Sequence, residues 1–378
     1  MTMSIRRAEG RFKQLCCLGL TGEAVMPALI EELHAIVRSR GIAFHFADEG
    51  GQPANSYMDR PEFPASLYAE YFYERGDREV RGLAFSQASA TQFGVHDAEA
   101  AVGPDYESVL GHSDIYNHLC VPLGFGANFL RLFIRDGKRR RTLGAVTLYP
   151  PVGAGPWKPE ERRHLADLEP FFAYALTVRD TKDHPLVDSG HSGVIVADPA
   201  GRPVHLSSEA RRLLFLATNP RVAPGVAISR VPCLPAPVVS ICRNLSRATS
   251  GDDEALAPVY HHRNVWGGFR FRAEWLDGND PASGLVAITV TYQEPQPMAL
   301  MRNVERLPLS PRQAEVCVLM AIGLSVEKIA ARLGISKHTA NEHTRWIYNK
   351  VDVHNRTELV GKLLSGQAYR DSPEHRIQ

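Results

Sequence analysis

The chain has no long apolar run, few cysteines and almost no net charge, and each shortage excludes a class of protein. No uncharged stretch is longer than Thr142 to Trp157, which is short and broken by glycine and proline, so no transmembrane helix is expected. Arg6 and Arg7 have no apolar run behind them, so a cleaved signal peptide is not expected either. Six cysteines (16, 17, 120, 233, 242 and 317) are scattered over 378 residues without one CxxC pair. That spacing excludes a dense disulfide framework and the usual zinc staples, and it predicts reduced thiols in a cytoplasmic protein. The formal net charge of +1 gives no global pull toward nucleic acid or an acidic surface, so any binding patch must be local. There is no P-loop, no GxSxG, no HExxH and no GxGxxG behind a strand, and GFGANF has the wrong spacing. Neither enzymatic activity nor a cofactor is expected.

What is present is an ordinary globular composition, 44% apolar and 22% charged, on a chain long enough for roughly two or three domains. The first block covers residues 8–179. EAVMPALIEELHAIVRSR repeats apolar residues at helical spacing (Val25, Leu29, Leu33, Ile36, Val37), and Gly41 stops that helix. IAFHFAD alternates like a strand and EGG makes its turn. ASLYAEYFYERG predicts a second helix closed by Gly76, and FLRLFIRDGKRRRTLGAVTLYP two strands around an Asp136–Gly137 turn. An amphipathic helix then opens at Pro159. Asp180–Pro185 is a short polar linker. The second block, 184–294, begins with two strands in GVIVADPAGRPVHLS and a helix, SEARRLLFLA, capped by Ser207 or Ser208. A Pro-rich irregular stretch, Asn219–Pro237, precedes the strands FRFRAEWLDG and GLVAITVTYQE. Residues 295–306 link to a third block, 307–366, and the part from Met298 to Leu307 has helical character. The fold class expected is multidomain α+β: two domains of antiparallel sheet with helices, followed by an all-α four-helix domain.

The third block carries the sharpest signals. Ser310 and Gln313 form a capping box around Pro311, Ser325 and Ser336 cap the next helices, and Asn355 with Glu358 caps a fourth. VEKIAARL and KHTANEHTRWIYNKV meet at LGIS, a short glycine-containing turn, which is the helix-turn-helix pattern. On the second helix Ala340, His343, Thr344, Ile347 and Val351 share an inner face, while Lys337, His338, Asn341, Glu342, Arg345 and Tyr348 are expected outward. Such a face suits a DNA major groove, where Asn reads adenine and Arg reads guanine. From Arg306 to Gly366 nine residues are basic and five acidic, so positive charge concentrates here.

These residues closely resemble the LuxR-type DNA-binding domain. The resemblance runs through Ile329, Ala330, Leu333, Ile335, Ser336, Thr339, His343, Ile347, Lys350, Val353, Asn355, Arg356 and Glu358. It implies four helices, the third reading DNA and the fourth forming a dimer contact. By resemblance Asn341, Glu342 and Arg345 face bases, with His338 beside them, and Lys337, Thr339, Lys350 and Arg356 face phosphates. Two positions depart from the family: Ala340–Asn341 replaces the usual Val-Lys, and Trp346 stands where a polar residue is usual. The implied partners are double-stranded DNA, a second copy of the chain and RNA polymerase, with no membrane. A capped bundle that merely packs on its neighbours is the competing reading.

The earlier blocks lack the regular βαβ alternation of a phospho-receiver. LVDSGHSGVIVADPAGRPVHLSSEARRLL resembles the opening of a PAS domain, with Ser207 where an Asn is usual. LGAVTLYPP with EERRHLADLEPFFAYAL resembles the end of a GAF domain, and ASLYAEYFYERGD is similar to part of the autoinducer-binding domains. The resemblances imply a cavity for a small organic ligand in one of these sensor domains. Phe44, Tyr57, Tyr71, Phe85 and Tyr116 are the candidates to line it, and the same aromatics could simply fill the core. His261 and His262 are adjacent on a strand, so they face opposite ways and cannot chelate a metal together. Lys138–Arg141 reads as a solvated hairpin tip. The expected function is a one-component, dimeric, ligand-controlled DNA-binding transcriptional regulator. The alternative is a regulator whose sensor domains are a protein-interaction or dimerisation platform with no ligand.

Overall fold

The computed structural model describes residues 3–59, 80, 83, 85–114, 116–137, 141–178, 184–218, 234–249, 256–276 and 284–365. The chain divides into two units, Met1–Asp180 with Gly190–Gln293, and Thr181–Ser189 with Glu294–Gln378.

The first unit is built on two five-stranded sheets. Strands β1 (Gly41–Ala47), β2 (Pro53–Met58), β3 (Val95–Asp97), β4 (Leu130–Arg135) and β5 (Thr142–Tyr149) are ordered β2-β1-β5-β4-β3, each pair antiparallel. Strand β5 is buried along its whole length and β1 along all but its last residue, because the apolar runs of both are covered on two faces. On one face lie helices α1 (Met3–Cys16), α2 (Gly22–Ile36) and α6 (Pro159–Thr177). Phe172 of α6 meets Phe12 of α1 edge-on at 4.8 Å and stacks on Phe44 of β1 at 5.7 Å. On the other face Phe85 and Ala88 of α3 (Phe85–Thr91) pack on Phe133 and Ala145. Gly144 of β5 is required: a Cβ there would lie 2.6 Å from the His45 carbonyl and 2.8 Å from the Phe44 ring. Short helices α4 (Ala98–Val102) and α5 (Tyr106–Gly111) and a π-turn, Tyr116–Cys120, close the far edge, and Arg162 of α6 pairs with the cap residue Asp97.

Helix α1 is not predicted by the sequence pattern. Its apolar periodicity is interrupted by Gly10 and three arginines, and it is held in part by a two-bond Arg11–Glu32 pair to α2, both contacts at 2.7 Å. Cys16 is buried and Cys17 half-buried, and burial pushes the Cys16 thiol far up. The expected two-residue turn after Arg135 is longer: β5 resumes at Thr142, with the Asp136 amide bonding the Arg141 carbonyl. Residues 138–140 lie outside the described residues, as do the ASLYAEYFYERG helix and Tyr71.

The second sheet contains β6 (Leu186–Ala197), β7 (Pro203–Leu206), β8 (Val259–Asn264), β9 (Gly267–Leu276) and β10 (Leu285–Pro295). Its order, β7-β6-β10-β9-β8, repeats the first sheet's topology strand for strand. Helix α7 (Ser208–Thr218) is capped by the Ser207 hydroxyl. Residues 219–233 of the Pro-rich stretch lie outside the described residues, and its last two, Ala236 and Pro237, open helix α8 (Ala236–Thr249) rather than being irregular. Pro235 and Pro237 fall at its first turn, where a missing N–H costs nothing, and Val238, Ile241 and Cys242 bury its inner face.

Trp266, in the β8–β9 turn, joins the two sheets. Its side chain is fully buried and lies 6.0 Å from the Phe46 ring and 5.8 Å from the Tyr57 ring of the first sheet. Beside it the Tyr57 hydroxyl hydrogen-bonds Arg212 of α7, which grips Glu209 through two bonds, and His191 completes the chain at 3.5 Å. Burial pushes the Glu209 carboxyl up, but hydrogen bonds from His191 and Arg212 outweigh it and hold it at about 2.

Beyond the strand ends it shares with β6 and β10, the second unit is helical: α9 (Gln296–Val304), α10 (Pro311–Ala321), α11 (Val326–Leu333), α12 (Lys337–Val351) and α13 (Arg356–Leu364). Helix α9 packs with α10 and α13, and Asn303 donates to the Leu363 carbonyl at 2.9 Å. The stretch read as a linker is therefore largely a helix docked on this bundle.

Candidate nucleic-acid interface

Every helix of the bundle after α9 starts on a side-chain cap. Ser310, Ser325, Ser336 and Asn355 accept from the third residue beyond, and Gln313 reaches back to complete the capping box. Helix α11 ends at Gly334, whose φ of +63° turns the chain sharply before Ser336 starts α12. Arg312 of α10 fixes that turn by donating to the Leu333 carbonyl at 2.5 Å. Ile329, Ala340, Ile347, Val351 and Leu359 form the bundle core.

That core sets what α12 shows to solvent. Successive residues rotate by roughly 100°, so the buried line Ala340, Ile347, Val351 puts His338, Glu342, Arg345 and Asn349 on the opposite face. Arg345 is exposed and lies 3.3 Å from the half-exposed Glu342 carboxylate. Asn341 and Trp346 flank the row, both exposed. Sequence reasoning misses Asn349, although its i+4 spacing from Arg345 marks it. Tyr348 is corrected from outward to half-buried: desolvation raises its pKa while the nearby Arg356 charge opposes this.

The residues given to phosphate by resemblance all have internal partners that orient them. Lys337 pairs across the turn with Glu327 at 2.5 Å, and this hydrogen bond holds the Glu327 carboxyl at about 2. The Thr339 hydroxyl lies 2.8 Å from that of Ser336. Lys350 donates to the Pro308 carbonyl and to Gln313, at 3.3 and 3.2 Å, and Arg356 to the Ala321 carbonyl at 3.5 Å.

Tyr71 lies outside the described residues, and the other ligand candidates are spread over the first sheet and its edge. Phe44 lies on the helix-covered face of the first sheet, Phe85 on the other against Phe133 at 5.4 Å, and Tyr57 against Trp266. Tyr116 edges a cavity of about 30 Å³, also lined by Leu110, Cys120, Phe129, Arg131 and Tyr149. A larger open groove, about 870 Å³, runs past Asp48, Glu49, Asp136, Arg141 and Tyr174 and contains none of the candidates. Buried His45 lies 2.9 Å from the Ser56 hydroxyl; burial, then the Arg131 charge, lowers its pKa to about 3. Arg131 is itself buried, between the Phe129 and Phe133 rings. His262 stacks near Tyr260 and Phe269 while His261 is exposed on the other face of β8. Among the described residues no group of His, Cys, Asp and Glu is arranged to hold a metal, and no helix is long and apolar enough to cross a membrane.

Four short capped helices with a glycine turn and an exposed third helix define a helix-turn-helix domain of regulatory type. More particularly, residues 307–363 match the bacterial regulatory proteins of the luxR family, so the second unit carries a LuxR-type helix-turn-helix. The transcriptional regulatory protein UhpA of Escherichia coli (strain K12) is 31% identical over 81 residues, which is 21% of this chain and 41% of UhpA. The chain thus covers about two fifths of that relative. Among solved structures, the E. coli DhaR(N)–DhaL complex is matched over 77% of this chain and 90% of that one, at 16% identity and a TM-score of 0.24. The Vibrio cholerae VqmA dimer without target DNA is matched over 47% and 83%, at 14% identity and 0.16. Phage VqmA in complex with DPO is matched over 50% and 88%, at 19% identity and 0.16. Scores this low carry no argument about the fold.

Proposed function

We propose that the chain is a transcriptional regulator that binds promoter DNA as a homodimer through α12, under the control of a small organic ligand taken up by its first unit. The observation that carries the DNA reading is the exposed row His338, Glu342, Arg345 and Asn349 on the third helix of a luxR-family domain. It is supported by the surplus of four positive charges between Arg306 and Gly366 (nine basic minus five acidic) on a chain of net +1. In this reading Asn341, Glu342 and Arg345 meet base edges, and Lys337, Thr339, Lys350 and Arg356 lie toward phosphates. RNA polymerase is the further partner a promoter-bound regulator would meet. The two sheets of equal strand order support two sensor folds in tandem, GAF-like over 8–179 and PAS-like over 184–294. A second reading, a ligand-free interaction platform, is favoured by one fact: the cavity beside Tyr116 is about 30 Å³, the size for water rather than an organic molecule.

Selection of binding sites from random DNA with the full chain tests the first reading; absence of any sequence preference across a range of salt would end it. Arg345→Ala is expected to cost about 1–3 kcal/mol on the selected site and to relax preference at one base pair. Lys350→Ala should weaken all DNA alike and reduce the salt slope by about one. Anisotropy titrations at several salt concentrations read both effects. Native mass spectrometry of the purified chain separates the two sensor readings, since only the first predicts a bound organic molecule.

A further inference from the structure

Trp346 is the feature of α12 that the polar reading row leaves without a role. Its side chain is 57% exposed, in the middle of a helix whose aliphatic residues Ile347 and Val351 are buried. It stands four residues after Glu342 and three before Asn349, so it shares their side of the helix. A lone exposed apolar residue is common on protein surfaces. This one is continuous with a row of base-reading residue types, in the locally positive part of the chain. Resting on the DNA reading above, we infer that Trp346 is a specificity-determining residue that packs on the C5-methyl of a thymine in the major groove.

The chemistry favours thymine. His338, Glu342, Arg345 and Asn349 supply donors and acceptors for polar base edges. The indole face has no such use, and the thymine methyl is the one apolar group that the four bases show in the major groove. Contact removes both apolar surfaces from water, and a single methyl so covered is worth about four-fold in affinity. The indole also lies apart from Arg345 around the helix, so the two residues would read different base pairs.

The test replaces each thymine of the selected site in turn by uracil, which lacks only that methyl. Wild-type chain should lose about four-fold affinity at one position per half-site. Trp346→Gln should bind thymine and uracil there equally, and Trp346→Phe should keep most of the discrimination. Wild-type indifference to every replacement, an identical loss in Trp346→Gln, or a selected site without thymine would each overturn the inference while leaving the DNA reading intact. Failure to select any site would remove both.

Discussion

Trp266→Ala is expected to destabilise the first unit by about 3–5 kcal/mol, at the upper end of what a single substitution does. The indole is fully buried and supplies the ring contacts to Phe46 and Tyr57 that join one sheet to the other. Its backbone cannot follow the truncation inward. The Trp266 amide donates to Asn264 at 2.9 Å, the Trp266 carbonyl accepts from the Tyr292 hydroxyl at 2.6 Å, and Asn264 also donates to the end of α7. A turn held this way leaves the cavity open. The vacated space also borders Tyr57, whose hydroxyl orients Arg212. Urea unfolding should show a lower midpoint at nearly unchanged slope. Trp266→Phe should recover part of the loss by refilling the space. A cost for the alanine variant below about 1 kcal/mol would mean that the sheets are joined elsewhere.

Acidification should be the second large effect, through His45. Its pKa falls from the ordinary 6.5 to about 3 in the folded chain, by burial first and the Arg131 charge second. Between those two values the unfolded chain takes up a proton that the folded chain refuses. The stability His45 contributes is therefore complete above about pH 6.5 and is lost as pH falls toward 3. The slope from this one group is about 1.4 kcal/mol per pH unit. Denaturation midpoints of wild type and His45→Asn at pH 7, 6 and 5 separate the contribution from other titrations. The variant should start less stable, because the imidazole contact to the Ser56 hydroxyl is lost, and should show a shallower dependence. Parallel curves would place the acid sensitivity in other groups.

The sequence is informative where structure is local. Ser310, Ser325, Ser336 and Asn355 each cap a helix through the amide three residues on, so all four helices of the DNA-binding domain can be read from spacing. The strands around IAFHFAD and LGAVTLYP are equally clear from their apolar content. Long-range facts are not. Nothing near Trp266 in the chain announces that a turn residue fills the space between two sheets, and Arg131 in LRLFIR gives no sign of being buried among phenylalanines. Tyr348, read as outward, is half-buried, because it lies on the flank of the buried Ala340, Ile347 and Val351 line rather than on the opposite face. Helix α8 is hidden by its own prolines, which read as breakers until their position at its first turn is known. The row on α12 is legible save for Asn349. Whether Phe44, Tyr57 or Phe85 binds a ligand is not legible, because an aromatic residue in a core element looks the same in sequence whether it fills space or borders a cavity.

The repeated strand order also governs how the chain can assemble. In each sheet the first strand pairs with the last: β1 with β5, and β6 with β10. Closing those pairs joins segments roughly a hundred residues apart, a non-local step whose loop entropy opposes it before any contact rewards it. On a ribosome β1 must wait for β5, and β6 for β10, with its hydrogen-bonding edge uncovered meanwhile. Helix α9 comes directly after β10 without a break, and the farthest pairing of the helices beyond it, α9 with α13, joins Asn303 to Leu363, a shorter separation than either strand closure. The DNA-binding domain should thus fold quickly once synthesised, behind a first unit completed only by the strand that immediately precedes it. Substitutions that slow the pairing of β10 would lower yield through aggregation of the waiting edges, even where the finished protein is as stable as before.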